Sequence, residues 1–205
     1  MKPHPLFARF YERFAAGAEK RGQAELRARA LSGLSGRVLE IGAGNGLNFA
    51  HYPATVTEVV AVEPEPFLRE RATERAAAAP VTVTVVEGEA DRIPLPDDSV
   101  DAAVASLVLC SVPDQARALG ELKRVMKPGA ELRVYEHVIS HKPGKAAFQR
   151  VFTKTVWKRI AGGCHMDRDT TAALTAAGFE GAESLDRVPF QGLAHLLGVV
   201  RAPGG

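Results

Sequence analysis

A strand sequence that dissolves into three glycines is the feature that most constrains what this chain can fold into. Residues 38–41 are mostly aliphatic and favour a buried strand, and glycine then occupies every second position, at Gly42, Gly44 and Gly46. Because glycine has no Cβ, the backbone of such a turn can come very close to a ligand. The acid inside the strand end, Glu40, is an unusual choice for packing. The sequence therefore predicts a ligand-binding turn, and a helix beginning near Leu47 would offer its free N–H groups to an anionic group of the ligand.

The spacing of these glycines differs from that of a dinucleotide-binding turn. A dinucleotide-binding turn follows Gly-x-Gly-x-x-Gly and would need a glycine where this chain has Leu47. The observed pattern is Glu-x-Gly-x-Gly-x-Gly, from Glu40 to Gly46. An NAD-binding module is therefore the weakest of the nucleotide-binding interpretations. A tight strand-to-helix turn that binds nothing is the purely structural alternative.

Length and composition limit the class of protein further. The 205 residues suffice for one domain with a substantial core, and we expect residues 1–205 to form a single domain. The net charge of +2 is too close to balance to favour a nucleic-acid partner. No apolar run approaches the roughly 20 residues of a membrane span, and charged residues interrupt the apolar runs near the N-terminus. We therefore expect no transmembrane segment, no signal peptide and a cytoplasmic location.

The second strand ends in an acid at the distance where nucleotide-binding α/β units place one. Residues 56–62 favour a strand, and Glu63 follows it, 21 positions after Gly42. A carboxylate accepts hydrogen bonds from two neighbouring hydroxyls, which suits the ribose of a nucleotide. Pro64 then fixes the turn. We therefore predict that Glu63 binds ribose.

The rest of the chain alternates strands and helices. We predict strands over residues 81–86, 100–108 and 131–138, and helices over 66–79 and from about 115 to 126. Short links between alternating strands and helices indicate a parallel sheet with helices on both faces. A last helix over residues 167–177 then precedes a closing pair of strands over residues 179–188 and 195–201.

Over residues of roughly 36–139 the order of these motifs resembles that of class I S-adenosylmethionine (SAM) methyltransferases. Beside the glycine turn and Glu63, the segment Gly88-Glu-Ala-Asp91 resembles the Gly-Asp-Ala-Glu segment that follows strand three in that family. The resemblance implies SAM as the cofactor, with its methionine half over the glycine turn. It also implies an α/β, Rossmann-like fold. Its seven-stranded, mostly parallel sheet would have the order 3-2-1-4-5-7-6 with strand seven reversed.

The resemblance further implies where adenine binds. The acid at Glu89 would meet the adenine amino group, and the backbone N–H of Ala90 would meet a ring nitrogen. This chain has glutamate where the family has aspartate, which lengthens the arm by one methylene. The complete cofactor-binding set that we predict consists of Glu40, Gly42, Ala43, Gly44, Gly46, Asn48, Glu63, Pro64, Glu89, Ala90, Ser106, Leu107 and Tyr11.

Two helical segments are predicted to flank the binding edge of the sheet. Within residues 1–34, apolar side chains recur at helical spacing on one face, at Leu6, Phe7, Phe10, Tyr11 and Phe14. Such a segment either packs on the domain as an ordinary helix or closes over cofactor and acceptor as an N-terminal lid. The lid is the functional interpretation, and it makes Tyr11 available to a ligand.

Residues 140–168 are predicted to form a cap helix inserted before the last strands. Phe148, Phe152, Val156 and Ile160 recur every four residues, and lysines and arginines fill the opposite side. A solvated basic face is the plain interpretation of this pattern. Peripheral contact with an acidic membrane surface is the alternative.

The chain also resembles a narrower group, the methyltransferase-like thiol S-methyltransferases. The resemblance lies in residues 48–53, 107–112 and 136–138, in the helix with Trp157, and in Gly163-Cys164 followed by Asp-Arg-Asp-Thr. It implies a small-molecule methyl acceptor, namely a small alkyl thiol or hydrogen sulfide. Those enzymes carry an N-terminal hydrophobic membrane anchor that this sequence does not show, so we do not expect membrane attachment of that kind.

A thiol must lose its proton to accept a methyl group, and His137 is the candidate catalytic base. It stands at the carboxyl end of strand five, on the side where α/β sheets bind ligands, and imidazole takes up protons near neutral pH. The pair Cys164-His165 is the second candidate. It offers too few ligands for a metal, so no metal is expected, and Cys110 within an apolar run is expected to be a small core residue.

Two alternatives to thiol methylation remain open at this stage. One is C-, O- or N-methylation of a quinone or natural product. The other is a SAM-binding protein of the same fold that transfers no methyl group and serves as a non-methylating catalyst or a regulatory partner. No acid–base arrangement in the sequence excludes the second alternative, whereas analysis of the reaction products would separate it from an enzyme.

Overall fold

The structure is a computed structural model that describes residues 12, 15–153, 155 and 163–204. Several sequence-based expectations fall outside these residues. They concern Tyr11 and the rest of the N-terminal apolar stripe, and the far end of the predicted cap helix with Trp157.

Seven strands of the described chain form one sheet of order β3-β2-β1-β4-β5-β7-β6. Neighbouring strands pair in parallel except β7, which is antiparallel to both β5 and β6. This confirms the predicted sheet order and the reversed strand seven. The strands are β1 Gly36–Ile41, β2 Val56–Val62, β3 Val83–Val86, β4 Val100–Ser106, β5 Met126–Val138, β6 Asp186–Phe190 and β7 Leu193–Arg201.

Helices connect and cover the strands. Three of them begin at a side-chain cap, in which Glu65, Asp114 and Asp169 each accept a hydrogen bond from a backbone N–H three residues on. The α-helices with defined bounds are α1 Ala24–Leu31, α2 Pro66–Ala76, α3 Gln115–Val125, α4 Pro143–Phe152 and α5 Thr170–Ala176. A π-helical stretch, Glu19–Gln23, precedes α1, and single 3₁₀ turns occupy Phe49–His51 and Ala182–Ser184.

The central strands are buried on both faces, as expected for a parallel sheet. Along β1, Leu39 and Ile41 pack into one core together with Leu119 and Leu122 of α3. Val38 points to the other core, which contains residues of α1 and α2. Helices therefore cover both faces, and the carboxyl edge of the parallel strands is where sheets of this kind bind ligands.

The structure corrects the expectation of a helix beginning near Leu47. Only the 3₁₀ turn Phe49–His51 lies between the glycine turn and β2 in the described chain. Pro53 holds Tyr52 in an extended conformation with φ −67° and ψ 129°, which ends the helical turn after His51. An anionic group at this turn therefore meets backbone and side-chain groups of the turn itself, and no α-helix N-terminus.

Several element boundaries differ from the predicted ones. β5 begins at Met126, whereas the predicted strand began at residue 131, so residues 126–130 lie inside the strand. Residues 179–185 are not a strand, because the 3₁₀ turn Ala182–Ser184 interrupts them before β6 begins.

The cap helix buries a different face from the predicted one. In α4 the side chains of Phe148 and Val151 are 65% and 64% exposed, whereas Ala146 and Gln149 are buried. The side-chain amide of Gln149 attaches the helix to its surroundings. It accepts a hydrogen bond from the backbone N–H of Ser140 and donates to the carbonyls of Val138 and Met166. Among the described residues, none of the helices combines the length and the apolar character needed to cross a membrane.

Candidate active site

The glycine turn after β1 has a left-handed backbone, with φ of +60°, +57° and +79° at Gly42, Gly44 and Gly46. Packing within the protein requires two of these glycines. A Cβ on Gly42 would overlap a methyl carbon of Val108, and one on Gly46 would lie 2.7 Å from the ring of Phe49. Gly42 thus lets the turn pack closely against the segment that follows β4.

Glu63, at the end of β2, is bonded to the same turn. Its Oε2 accepts a hydrogen bond from the backbone N–H of Gly44 at 2.7 Å, and its Oε1 accepts one from the N–H of Glu65 at 2.9 Å. Burial raises the pKa of Glu63, and the two backbone N–H groups oppose that rise. Each carboxylate oxygen has capacity for a further hydrogen bond, so the group can also receive hydroxyls of a ligand.

Asn45, in the middle of the turn, carries an unused hydrogen-bond donor. The side chain is 2% exposed, and its Nδ2 finds no acceptor among the described residues. A buried donor without a partner is costly, and one placed in a glycine turn fits a carboxylate or another acceptor group of a ligand. Sequence reasoning missed Asn45, although a polar residue between two glycines of the motif was a visible sign.

Glu40 is held in a buried polar network below the turn. Its Oε1 accepts a hydrogen bond from Asn48 Nδ2 at 2.8 Å, and its Oε2 accepts one from the hydroxyl of Tyr52 at 2.7 Å. Burial raises the pKa of Glu40 to about 7, against the opposing effect of these two hydrogen bonds and of the nearby Arg27. Glu40 and Asn48, both predicted to bind cofactor, therefore make specific contacts within the protein.

Arg27 of α1 attaches the N-terminal part of the described chain to this network. Its guanidinium donates to Asn48 Oδ1 at 2.9 Å and to the hydroxyl of Ser106 at 3.1 Å, and the side chain is 5% exposed. Gln23 adds a hydrogen bond to the hydroxyl of Tyr135 on β5. Sequence reasoning missed Arg27, because no local pattern indicates which arginine of a charged helix turns inward.

The segment after β4 is bent over the sheet edge and held there by Glu136. Leu107 has φ +58°, which is unusual for leucine, and its N–H donates to the carbonyl of Tyr135 at 2.7 Å. The fully buried carboxylate of Glu136 then accepts three successive backbone N–H groups at 2.9, 2.7 and 3.2 Å, those of Val108, Leu109 and Cys110. Burial raises the pKa of Glu136 to about 7, with the three N–H groups opposing.

The next side chain on β5, His137, meets both cysteines of the chain. Its Nδ1 lies 3.8 Å from the Sγ of Cys110 and 3.8 Å from that of Cys164, and the two sulfurs are 3.4 Å apart. The adjacent Cys164 and burial raise the pKa of the Cys110 thiol. The ring of the buried His195 packs against that of His137 at 4.5 Å between centroids. Cys110 is thus buried, as expected, but it belongs to a cluster of two thiols and an imidazole.

The remaining predicted residues lie at the same edge of the sheet. Ala43 is buried and donates its N–H to the carbonyl of Val62. Pro64 directly follows Glu63, and its carbonyl accepts a hydrogen bond from Arg69. Glu89 and Ala90 lie half-buried in the loop after β3, where the N–H of Arg92 bonds the carbonyl of Glu89.

A parallel sheet with a glycine turn after its first strand and a buried acid after its second defines a Rossmann-like nucleotide-binding protein. Comparison with known families narrows this class. The family model described as "Methyltransferase domain" matches residues 39–134.

Curated relatives extend the similarity beyond that segment. The chain is 40% identical over 157 residues to thiol S-methyltransferase TMT1B of Homo sapiens, which covers 73% of the chain and 63% of the relative. The chain is 31% identical over 170 residues to the ubiquinone/menaquinone biosynthesis C-methyltransferase UbiE of Syntrophotalea carbinolica, covering 77% of the chain and 70% of that protein. The chain therefore belongs to the SAM-dependent methyltransferases, a family whose cofactor is SAM.

Solved structures agree on the fold. The YcgJ protein from Bacillus subtilis superposes with a TM-score of 0.70 over 89% of this chain and 98% of its own, at 18% identity.

The glycine turn has hydrogen-bonding groups that fit the family's cofactor. Asn45 has a donor with no acceptor among the described residues, and the carboxylate of Glu63 can accept further hydrogen bonds.

We expect cofactor affinity to depend on Gly44 and Glu63. Gly44→Val places a branched side chain where the backbone has φ +57°, and Glu63→Ala removes the carboxylate that we predict to bind the ribose hydroxyls. Loss of hydrogen bonds to a charged group costs roughly 1.5–3 kcal/mol, or about 10- to 100-fold in affinity for Glu63→Ala. Calorimetric titration with S-adenosylhomocysteine measures this directly.

Matched controls are Gly120→Val, on open surface of α3, and Glu58→Ala, at the opposite end of β2. Both should bind like the parent. Folded Gly44→Val and Glu63→Ala proteins with parental affinity would show that the cofactor site lies elsewhere.

We expect Glu40 to make the unliganded protein less stable as pH rises. Its pKa is about 7 in the folded state and about 4.5 as the ordinary value, so its stabilising contribution is present below pH 4.5 and is lost as pH rises through 7. Between pH 5 and 8 the free energy of unfolding of the parent should fall by about 2 kcal/mol more than that of Glu40→Gln. Urea unfolding at both pH values measures the difference, and parallel losses in the two proteins would contradict the assignment.

Proposed function

We propose that this protein transfers the methyl group of SAM to the thiol of a small cytoplasmic molecule. The observation that carries the proposal is the cluster of His137, Cys110 and Cys164 at the carboxyl edge of the sheet, next in sequence to the Val108 that packs on Gly42. The similarity to thiol S-methyltransferase TMT1B supports it. Because the match spans 63% of that relative's length, the acceptor class is a proposal for this chain.

The protein's own part in such a reaction is chiefly alignment. SAM, when bound, supplies a methyl group on a positively charged sulfur. Glu63 and the turn around Gly44 would fix the nucleoside, and Asn45 would hold an acceptor group of the methionine portion. The segment held by Glu136 would form the wall between cofactor and acceptor. Holding two reactants in line supplies most of what a displacement of this kind requires.

We further propose that His137 accepts the thiol proton in the metal-free protein. A neutral imidazole is suited to this near pH 7, and a thiol with an ordinary pKa of about 8.5 needs only modest help. The side chain is half-buried at the carboxyl edge of β5, beside two sulfurs. Two sulfurs beside the imidazole suit an alkyl thiol better than a charged amine.

Residues 1–34 are proposed to serve as a lid and residues 140–168 as a cap. In the described part of the lid, Arg27 bonds Asn48 and Ser106 directly beneath the glycine turn. The cap exposes Phe148 and Val151, which makes peripheral contact with a membrane surface part of this proposal. We propose no nucleic-acid partner, because the net charge is only +2.

Methylation of a quinone-type carbon is the second candidate. The match to the C-methyltransferase UbiE favours it, since it covers 70% of that protein. A carbon acceptor also needs a base, and His137 would serve in either case. The acceptor class therefore has to be decided by the products.

We expect the purified protein to convert SAM to S-adenosylhomocysteine in a one-to-one ratio with a methyl thioether when a small alkyl thiol is supplied. Mass spectrometry of both products, over a panel of thiols, phenols, quinols and amines, measures this. Turnover of quinols alone would show that the acceptor is a quinone-type carbon and not a thiol. Tight SAM binding without any methylated product would favour a non-methylating protein of the same fold.

The same assay is run on His137→Ala and on the parent, both freed of metal. The activity of His137→Ala relative to the parent should be lowest at pH 6–7 and should rise toward pH 9, where the thiol ionises by itself. His141→Ala, in the exposed turn before α4, is the control. A constant rate ratio between His137→Ala and the parent across this pH range would leave His137 a positioning role only.

A further inference from the structure

The cluster of Cys110, His137 and Cys164 has the composition and spacing of a metal site. These are the three groups of the described chain that bring potential ligand atoms within 4.8 Å of one another. Thiolate sulfur and imidazole nitrogen are the ligands that Zn²⁺ prefers. Sequence reasoning expected no metal because it considered Cys164 with its neighbour His165, whereas the fold brings in Cys110 and His137 from two strand ends.

The distances match those between ligands of one tetrahedral ion. Bond lengths of about 2.3 Å to sulfur and 2.05 Å to nitrogen place two sulfurs about 3.8 Å apart and a sulfur and a nitrogen about 3.6 Å apart. The observed separations are 3.4 Å between the sulfurs and 3.8 Å from each sulfur to His137 Nδ1. Shifts of a few tenths of an ångström would bring all three atoms into the geometry of a single Zn²⁺.

The backbone holds these ligands in place from both sides. Glu136 accepts the N–H of Cys110 at 3.2 Å, and the carbonyl of Cys110 accepts the N–H of His165 at 2.8 Å, next to Cys164. The guanidinium of Arg168 spans the two loops through the carbonyls of Leu109 and Val112. Ligands fixed in this way lose little freedom on binding an ion.

Three protein ligands leave one tetrahedral position open. Structural zinc sites are closed by four protein ligands, whereas sites that act on substrates keep the fourth position for water or substrate. Val108, two residues before Cys110, packs on Gly42, so a short segment joins the cluster to the glycine turn. An open position on that side of the cluster is the one that a thiol would need in order to meet the methyl group of the cofactor.

We propose that Cys110, Cys164 and His137 bind one Zn²⁺ and that the thiol substrate takes its fourth coordination position as a thiolate. The inference rests on the proposed thiol methylation for the identity of the fourth ligand, but not for the metal site itself. With the ion bound, His137 is a ligand and no longer the proton acceptor, and the cation favours thiolate formation in its place.

The step balances without a further reagent. The thiol R–SH binds the ion and releases its proton to solvent. A lone pair of the coordinated sulfur then forms the new S–CH₃ bond, while the bond between the methyl carbon and the sulfonium sulfur breaks and its electron pair stays on that sulfur. The products are a neutral thioether, which is a weak ligand and leaves the ion, and S-adenosylhomocysteine.

The test begins with metal binding alone, in the absence of SAM and thiol. The full chain, reduced and freed of metal with a chelator, is titrated with Zn²⁺ against a chromophoric chelator and separately with Co²⁺, which gives a thiolate-to-metal charge-transfer band. We expect one ion per chain in the parent. Cys110→Ser, Cys164→Ser and His137→Ala should each weaken binding at least about 100-fold, more than the loss of an outer-shell partner does. His141→Ala should bind like the parent.

Circular dichroism of each variant shows whether it is folded, and the three ligand variants test the site independently of one another. Equal Zn²⁺ binding by parent and folded ligand variants would overturn the proposal, as would a reduced parent that binds no ion. Recovery of Cys110 and Cys164 as a disulfide that persists under reductant would also overturn it, because a disulfide leaves no thiolates for the metal.

The fourth position is tested by adding a small alkyl thiol to the Co²⁺ protein. We expect the charge-transfer band to increase, and removal of Zn²⁺ to lower thiol turnover at least tenfold, with recovery on adding it back. An unchanged spectrum would overturn the substrate-ligand part of the proposal. Metal binding with a spectral change but without methylated product would instead contradict the proposed methyl transfer, so the two failures are distinguishable.

Discussion

The carboxylate of Glu136 is the contact on which the arrangement of this edge of the sheet depends. It accepts three successive backbone N–H groups, of Val108, Leu109 and Cys110, in a position with no solvent. A carboxylate is suited to this because it can accept several hydrogen bonds at once. The bend that it fixes brings Val108 onto Gly42, where only glycine leaves room, and brings the Cys110 thiol to the neighbouring residue of β5, His137. One buried acid thus fixes the segment that contacts both the glycine turn and His137.

Two glycines of the motif are required for packing, whether or not the turn binds a ligand. Side chains of this protein fill the space next to Gly42 and Gly46, so those two glycines would be required in an empty turn. The groups that indicate a ligand are different ones: Asn45, with a buried donor that has no acceptor in the described chain, and Glu63, with spare acceptor capacity. Below the turn, Arg27 links Asn48 and Ser106, so the N-terminal helix and the cofactor turn are parts of one polar network.

The alternation of hydrophobic runs, glycines and acids predicted a parallel sheet with Glu63 and His137 at its carboxyl edge, whereas the strand order followed from the resemblance to class I methyltransferases. The sequence did not predict the 3₁₀ turn at Phe49, since tertiary packing and Pro53 override the usual strand-to-helix pattern there. The inward side chain of Arg27 and the meeting of Cys110 with Cys164, 54 residues apart, were also missed. Such contacts depend on where loops return in space, which periodicity and spacing along the chain do not encode.

The most direct test of this account is a crystal structure of the protein with S-adenosylhomocysteine. The account predicts that the ribose hydroxyls bond Glu63, that the methionine portion lies over Gly44 beside Asn45 Nδ2, and that the adenine lies by Glu89 and Ala90. The thioether sulfur should face the cluster of Cys110, His137 and Cys164. A nucleoside bound away from the glycine turn, or one whose sulfur points away from that cluster, would contradict the central claim that this edge of the sheet is a methyl-transfer site.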